Sequence, residues 1–191
     1  MVTFNGTDEV AHTPDASYWT RSSGSDDYPF SLGAWVNLRD ATSSSILMKY
    51  DPGEGGASHC EWLFFVSAAD YLELRLIDAS RGSYIRAQSD DAIAEDQFVF
   101  LAATYNGKEA PTGITLYVDG SAVVDTDTVN PYTAMENTPA LVRLGHFNAT
   151  PDTVFDGSMA GGPLGPFFTH KELTADEVMR LYNLGRRALG V

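Results

Sequence analysis

The chain has 191 residues, of which 43% are hydrophobic and 12% aromatic, the composition of a globular protein with a core of its own. Its 26 acidic and 12 basic residues give a formal charge of −14 and a pI of about 4.4. Such a surface repels phosphate backbones and anionic membranes, which argues against nucleic-acid binding. No apolar run approaches the roughly 18 to 20 residues that span a bilayer, so we expect no membrane insertion. We expect one domain over residues 1–191.

The first residues, MVTFNGTDEVAH, contain no basic stretch and no apolar run, so they do not resemble a secretory signal. Cys60 is the one cysteine, which excludes an intrachain disulfide, and we interpret it as a small core residue. Both features favour folding in a reducing cytoplasm. A virion component, which folds in the host cytoplasm and acts outside it, fits the same pattern.

Short β-prone runs follow one another along most of the chain, separated by turn signals such as DPGEGG and Asn106-Gly107. This spacing is typical of an antiparallel sandwich. The run over 97–105 is mostly apolar and predicts a central strand. The predicted strands are 30–38, 45–50, 60–68, 71–78, 83–89, 97–105, 114–118 and 140–147.

A hairpin is the sharpest local prediction. In ITLYVDGSAVVD, over 114–125, alternating β-prone residues flank Asp119-Gly120. A type I′ turn needs positive φ at both central residues, and Asp-Gly is among the pairs that tolerate this. The sequence therefore predicts a two-residue turn at Asp119-Gly120.

One helix is predicted near the end, in LTADEVMRLYNLGRR. Thr174 is the expected N-cap, and Glu177 completes a capping box. Val178, Leu181 and Tyr182 fall on one face, which we expect to close one end of the sandwich. Gly185 is predicted to end the helix as its C′ residue.

Eight stretches, taken in order, resemble a known family: VTFNGTDEV, FSLGAWVNL, ILMKYD, FVFLAATYNG, ITLYVDGSAV, LVRLGHF, FDGSM and KELTADEVMRLYNLG. From about residue 2 to residue 185 they are similar to a laminin-G-like domain of the concanavalin A-like lectin/glucanase superfamily. The resemblance implies an all-β, antiparallel two-sheet jelly-roll sandwich with one short C-terminal helix. It also implies that the hairpin is part of the scaffold and not of a catalytic site.

Departures from the family pattern bear on metal binding. Members tend to carry an Ile-Asp-Glu-Val stretch before the last strand, whose acidic side chain helps to hold a structural calcium ion. This chain has GGPLGPFF there, with Gly165 or Ala160 where that Asp would fall. Gly6 and Asp8 could still contribute oxygens, but calcium takes about six to eight. We expect no required cofactor, with structural calcium as the alternative.

The sequence contains no strong residue pattern of a catalytic site. Glycosidases of this superfamily use paired carboxylates on one strand, whereas Glu73 and Asp78 are five residues apart and lie on opposite faces. We interpret these two as part of a solvated strand edge. The four histidines are scattered without zinc spacing. We expect a protein that is not an enzyme.

Three aromatic residues in polar segments are candidate contacts for a ligand or partner. Tyr18 and Trp19 lie in DASYWTRSSGSDDYP, and Tyr132 lies in NPYTAMEN. Loop aromatics stack on sugar rings or anchor protein interfaces. The alternative is that each covers an edge of the sandwich. Trp35 and Trp62 sit inside strand patterns and are predicted to be core.

Two non-enzymatic functions follow from the sequence. The first is an accessory protein on a bacteriophage particle, decorating the capsid or associated with the tail, because the closing segment resembles phage-borne members of the family. It would dock onto a larger protein assembly, with possible adhesion to cell-surface glycans. The second is a carbohydrate-binding lectin-type module. A glycoside hydrolase of the same fold is the least favoured reading.

Overall fold

The structure is a computed structural model that describes residues 1–51, 59–145 and 154–191. Most of the predicted DPGEGG turn and the end of the predicted strand 140–147 lie outside these residues. The strands are β1 Val2–Asn5, β2 Ala11–Thr13, β3 Phe30–Asp40, β4 Ser45–Tyr50, β5 Cys60–Val66, β6 Tyr71–Asp78, β7 Ser83–Ala92, β8 Phe98–Tyr105, β9 Ile114–Val118, β10 Ser121–Ala122, β11 Asp125–Val129, β12 Val142–Leu144, β13 Asp156–Met159 and β14 Phe167–Thr169. The helix α1 spans Ala175–Leu189.

Two antiparallel sheets form a sandwich, which confirms the predicted fold class. In the described part of the chain each sheet has seven strands. The first has the order β1-β13-β3-β8-β9-β10, with β14 also paired to β3, and the second has the order β11-β7-β6-β5-β4-β12-β2. Strand β8 lies between β3 and β9, so the prediction that 97–105 is central is confirmed.

The main core lies between the sheets because side chains alternate along each strand. In β3, Leu32, Ala34 and Val36 belong to this core. The facing strand β5 contributes Trp62 and Phe64, both fully buried. Burial of these apolar side chains is the dominant favourable term in folding.

Helix α1 packs on the outer face of the first sheet. Its capping box at Thr174 is confirmed. Val178 is fully buried beside Trp35 and Phe100, which alternate out of the main core. The expectation that the helix closes an end of the sandwich is therefore wrong, since it covers a sheet face. This cover explains why β3 and β8 are apolar on both faces.

The predicted helix end at Gly185 is also wrong. The helix continues to Leu189, and Gly190 in the left-handed conformation caps it, with φ of 75°. A Cβ built at Gly185 would overlap the indole nitrogen of Trp35. The glycine is needed inside the helix because it allows the backbone to approach the tryptophan.

The predicted hairpin is confirmed as β9 and β10. Asp119 and Gly120 have φ of 49° and 79°, as a type I′ turn requires. The Asp119 carboxylate accepts a hydrogen bond from the amide of Phe100 at 2.9 Å. A Cβ at Gly120 would lie 2.9 Å from Cβ of Tyr182 in α1. The turn therefore also serves as a support for the helix.

We expect Gly185→Ala to lower the free energy of unfolding by about 1–3 kcal/mol, because the added methyl group pushes α1 away from Trp35. Alanine itself favours a helix by about 1 kcal/mol over glycine, so the prediction opposes helix propensity. Urea denaturation measures the difference. Leu184→Ala is the matched control, since Leu184 is 59% exposed and its loss should matter little. A more stable Gly185→Ala variant would contradict the close packing.

Candidate functional site

The segment 15–20 holds two of the predicted contact residues, Tyr18 and Trp19. It forms a tight turn in which the Trp19 amide donates to the Ala16 carbonyl at 2.9 Å. We call residues 15–20 the aromatic segment. It precedes β3 and packs across the end of β4 and β5 through the contacts described next.

A buried ion pair lies under the aromatic segment. Lys49 Nζ is 2.5 Å from Glu61 Oε1, and both side chains have no exposed surface. A β-bulge explains how both point inward. Lys49 pairs with Trp62 and Tyr50 with Cys60, which leaves Glu61 as the extra residue of β5.

The ion pair ties the aromatic segment to the sandwich at several atoms. Lys49 Nζ contacts Asp15 Oδ1 at 2.8 Å and donates to Thr20 Oγ1 at 2.9 Å, so it holds both ends of the segment. Between them, the Trp62 indole donates to the Trp19 carbonyl at 3.0 Å. The segment is therefore fixed before any ligand arrives, which lowers the entropy cost of binding.

Glu61 also binds the loop that contains Thr138. Its Oε1 atom accepts hydrogen bonds from the amide of Thr138 at 2.6 Å and from the Thr138 hydroxyl at 3.1 Å. Glu61 Oε2 is buried with no hydrogen-bond partner in the described residues. Burial raises the pKa of Glu61, although Lys49 opposes the shift. Its contribution to stability is thus greatest at low pH and is lost as the pH rises through the raised pKa.

Tyr18 and Trp19 meet two further aromatic residues at the edge of the sandwich. The Tyr18 ring lies 4.3 Å from the His170 ring at an angle of 31°, and the Trp19 ring lies 5.5 Å from Phe168. The Tyr18 hydroxyl donates to the Phe168 carbonyl at 2.8 Å. Tyr18 remains 47% exposed, so its ring is held in place but reachable.

A cleft of about 200 Å³ opens beside Trp19, between the edges of the two sheets. We call it the aromatic cleft. Strands β2 and β12 form one wall and β14 the other. The lining is mostly apolar, with His12 and Thr13 as polar members; its other residues are Ala11, Trp19, Leu47, Val142, Leu144, Pro166, Phe167 and Phe168.

Tyr132, the third predicted contact residue, is bound to the interior of the protein. Its hydroxyl donates to Asp27 Oδ2 at 2.5 Å, and the same oxygen accepts from the Tyr105 hydroxyl at 2.8 Å. Asp27 Oδ1 accepts from the amide of Met135 at 2.9 Å. Burial raises the pKa of Asp27, against the opposing effect of these hydrogen bonds. The polar tip of Tyr132 therefore holds its loop to the buried Asp27.

The predicted metal residue Gly6 lies beside Asp156, and Asp8 is hydrogen-bonded to Asn5, the strand partner of Asp156. Asp156 is paired with the Arg39 guanidinium, which also donates to the Phe4 carbonyl at 3.0 Å. Asp8 accepts a hydrogen bond from Asn5 at 2.9 Å. A cation bound to Asp156 would have to displace Arg39, so the described residues around Asp156 do not fit a calcium ion. Across the described ranges, no three His, Cys, Asp or Glu side chains gather as metal ligands. Independence from metal stays a prediction.

The interpretation of Glu73 and Asp78 as a solvated strand edge is wrong, since they are 1% and 2% exposed and β6 is an inner strand. Glu73 lies on the outer face of the second sheet and pairs with Arg75 and Arg86. Asp78 accepts from the amide of Thr133 at 3.2 Å. The sequence carried one signal for this arrangement, charged residues alternating with apolar ones in two successive strands.

Cys60 is buried as predicted, but outside the main core. It lies on the outer face of the second sheet with Met48, Leu63 and Ile77. Burial raises the pKa of its thiol to about 11, which disfavours the reactive thiolate.

No helix in the described ranges is long and apolar enough to cross a membrane.

The two-sheet sandwich, its hairpin and its C-terminal helix define a lectin-like jelly roll. Residues 5–161 match the Laminin_G_3 family, described as the concanavalin A-like lectin/glucanases superfamily. The chain belongs to this family, which confirms the resemblance in the sequence. A comparison with curated proteins gives no significant match.

Solved structures share the fold at low sequence identity. A candidate carbohydrate-binding protein from Bacteroides ovatus is 16% identical with a TM-score of 0.56, over 94% of this chain and 47% of that one. A heptameric SAP-like pentraxin from Limulus polyphemus is 14% identical with a TM-score of 0.54, over 94% and 80%. The binding domain of botulinum neurotoxin serotype G is 15% identical with a TM-score of 0.61, over 96% and 42%. The chain thus spans about half the length of the first of these proteins.

Removing one member of the buried ion pair tests its role. We expect Lys49→Met to lower the free energy of unfolding by about 3–5 kcal/mol at pH 7, because Glu61 would be left as an uncompensated buried charge. The loss should shrink near pH 4, where Glu61 can take up a proton. Denaturation at both pH values measures this.

The double variant Lys49→Met with Glu61→Leu is the matched control. Replacing both charges by apolar groups of similar size should recover most of the lost stability. A single Lys49→Met variant that loses less than about 1 kcal/mol, the value of an exposed pair, would contradict the buried geometry.

Proposed function

We propose that this protein is a non-enzymatic recognition module that binds a saccharide at the aromatic segment. One observation carries the proposal: an exposed aromatic ring, Tyr18, is held on a segment fixed by a fully buried ion pair. Burying two charges beneath a surface turn carries a desolvation cost of several kcal/mol. We infer that the turn must keep one shape, because it presents aromatic rings beside a cleft.

Sugar rings present apolar C–H faces that pack on aromatic rings. The Tyr18 ring is oriented by its hydroxyl hydrogen bond and by the adjacent His170, whose Nε2 lies 2.7 Å from the Tyr18 carbonyl. Trp19 forms the inner wall of the cleft. A saccharide would stack on Tyr18 and reach Trp19, with Thr13 available for a hydrogen bond to one of its hydroxyl groups.

The non-enzymatic part of the proposal rests on how the buried carboxylates are used. Glu61 is bound to Lys49, Glu73 to two arginines, and Asp27 to two tyrosines. Each of these carboxylates has a structural partner. Glycoside hydrolysis needs two carboxyl groups facing the sugar, one of them able to donate a proton.

The similar structures support a binding function. The protein from Bacteroides ovatus is described as a candidate for carbohydrate binding, and a botulinum neurotoxin binding domain of the same fold was solved with rat synaptotagmin II, a protein ligand. The fold is thus associated with both saccharide and protein ligands. At 16% and 13% identity these two structures share only the fold with this chain, and the aromatic segment itself carries the proposal.

A second candidate is docking onto a larger protein assembly, such as the capsid or tail of a bacteriophage. The apolar lining of the aromatic cleft favours it, because Leu47, Val142 and Leu144 suit an inserted apolar side chain better than a hydroxylated sugar. The protein would then work at the virion surface, with glycan adhesion as a secondary property.

Glycan-array screening followed by titration of the strongest hit tests the first candidate. We expect Trp19→Ala and Tyr18→Ala to weaken binding about tenfold or more, because each removes an aromatic ring that contacts the saccharide. Tyr18 is exposed, so its variant should keep the fold even if Trp19→Ala loses stability.

Tyr132→Phe is the matched control for these variants. It removes the hydroxyl bond to Asp27 and should lower the free energy of unfolding by about 1–3 kcal/mol while leaving saccharide affinity unchanged. If no array glycan binds, and purified particles capture the protein through Trp19, the docking candidate replaces the first.

A further inference from the structure

The outer face of the second sheet carries arginines in a protein of strongly negative charge. Neighbouring residues in register form one row across all seven strands: His12, Arg143, Met48, Leu63, Arg75, Arg86 and Thr128. Three of the 12 basic residues of the chain thus fall in a single row. We call the part of this face around Arg75, Arg86 and Glu73 the arginine face.

Arg75 and Arg86 lie directly opposite each other on β6 and β7. Like charges in this position repel and destabilise a sheet. Glu73 Oε1 accepts from Arg75 Nε at 2.8 Å, and Glu73 Oε2 accepts from Arg86 Nη1 at 3.0 Å. One carboxylate between two guanidinium groups leaves one positive charge without compensation within this trio.

The geometry directs this charge outward. Glu73 is 1% exposed and lies beneath the guanidinium groups, whereas the Arg75 and Arg86 side chains are 30% and 27% exposed. The guanidinium carbon of Arg75 lies 5.5 Å from the centre of the Phe65 ring and 5.0 Å from that of Tyr84, which fixes its orientation. Arg86 Nε is a buried donor with no hydrogen-bond partner in the described chain.

We propose that the arginine face binds an acidic saccharide, and that it recognises the carboxylate group of the saccharide. Glu73 takes Nε and Nη2 of Arg75 and Nη1 of Arg86, which leaves Arg75 Nη1 and Arg86 Nη2 as donors for a second carboxylate. The buried Glu73 holds both guanidinium groups in place, and charge-assisted hydrogen bonds from arginine to a carboxylate are strong. The partly exposed Phe65 and Tyr84 rings beside the forks offer apolar surface to the sugar ring.

This site lies on a different surface from the aromatic cleft and uses none of its residues. It extends the proposed binding function to a second ligand class. The two proposals fail separately, since Trp19→Ala should leave acidic-saccharide binding unchanged while changes on the arginine face should leave the cleft unchanged.

Calorimetric titration with oligogalacturonate tests the proposal, with its methyl ester as the matched ligand that keeps the rings but loses the charge. We expect the acid to bind at least about tenfold more tightly than the ester, the effect of a charge-assisted hydrogen bond. Binding should weaken as salt is added.

Two variants locate the site. Arg86→Gln should weaken oligogalacturonate binding about tenfold or more. Thr128→Glu, which places a carboxylate opposite Arg86 on the edge strand β11, should have the same effect without disturbing the buried Glu73. Arg180→Gln, at an exposed position on α1, is the control and should change nothing.

The proposal is overturned if oligogalacturonate does not bind, if its ester binds equally, or if Thr128→Glu binds as the wild type does. Oligoglutamate that binds as tightly as oligogalacturonate would overturn the saccharide assignment, and dextran sulfate that binds more tightly would overturn the carboxylate assignment.

Discussion

The buried pair of Lys49 and Glu61 is the contact on which the candidate site depends. Two unpaired charges inside a protein would cost several kcal/mol each, and here each is compensated by the other and by hydrogen bonds from neighbouring loops. Because Lys49 also holds Asp15 and Thr20, this buried pair between β4 and β5 fixes the aromatic segment. The stability of the fold and the position of Tyr18 and Trp19 are therefore coupled.

The two faces of the sandwich serve different purposes. The outer face of the first sheet is covered by α1, which packs on Trp35 through the close approach at Gly185. The outer face of the second sheet instead carries charged and aromatic side chains around Arg75. Among the described residues, Arg75 and Arg86 keep exposed surface on this second face, and Tyr18 keeps it at the edge of the sandwich. Both proposed sites lie there.

Local signals explain what the sequence predicted well. The hairpin at Asp119-Gly120 and the capping box at Thr174 depend on a few adjacent residues, and both are confirmed. Gly185 misled the prediction because a glycine near a helix end is normally a terminator, whereas here a distant tryptophan requires it. Contacts between strands could not be predicted from the sequence. The pairing of Lys49 with Glu61 depends on a bulge, and that of Arg75 with Arg86 depends on strand register.

The three tryptophans give the most direct test of the central claim, that the fixed aromatic segment is the binding site. Their indole N–H groups report on separate regions: Trp19 in the aromatic cleft, Trp62 bonded to the Trp19 carbonyl, and Trp35 beneath α1. In NMR spectra of ¹⁵N-labelled protein titrated with the glycan selected on the array, the Trp19 signal should shift most and Trp62 less, with Trp35 unchanged. A titration that shifts Trp35 and leaves Trp19 in place would contradict the account.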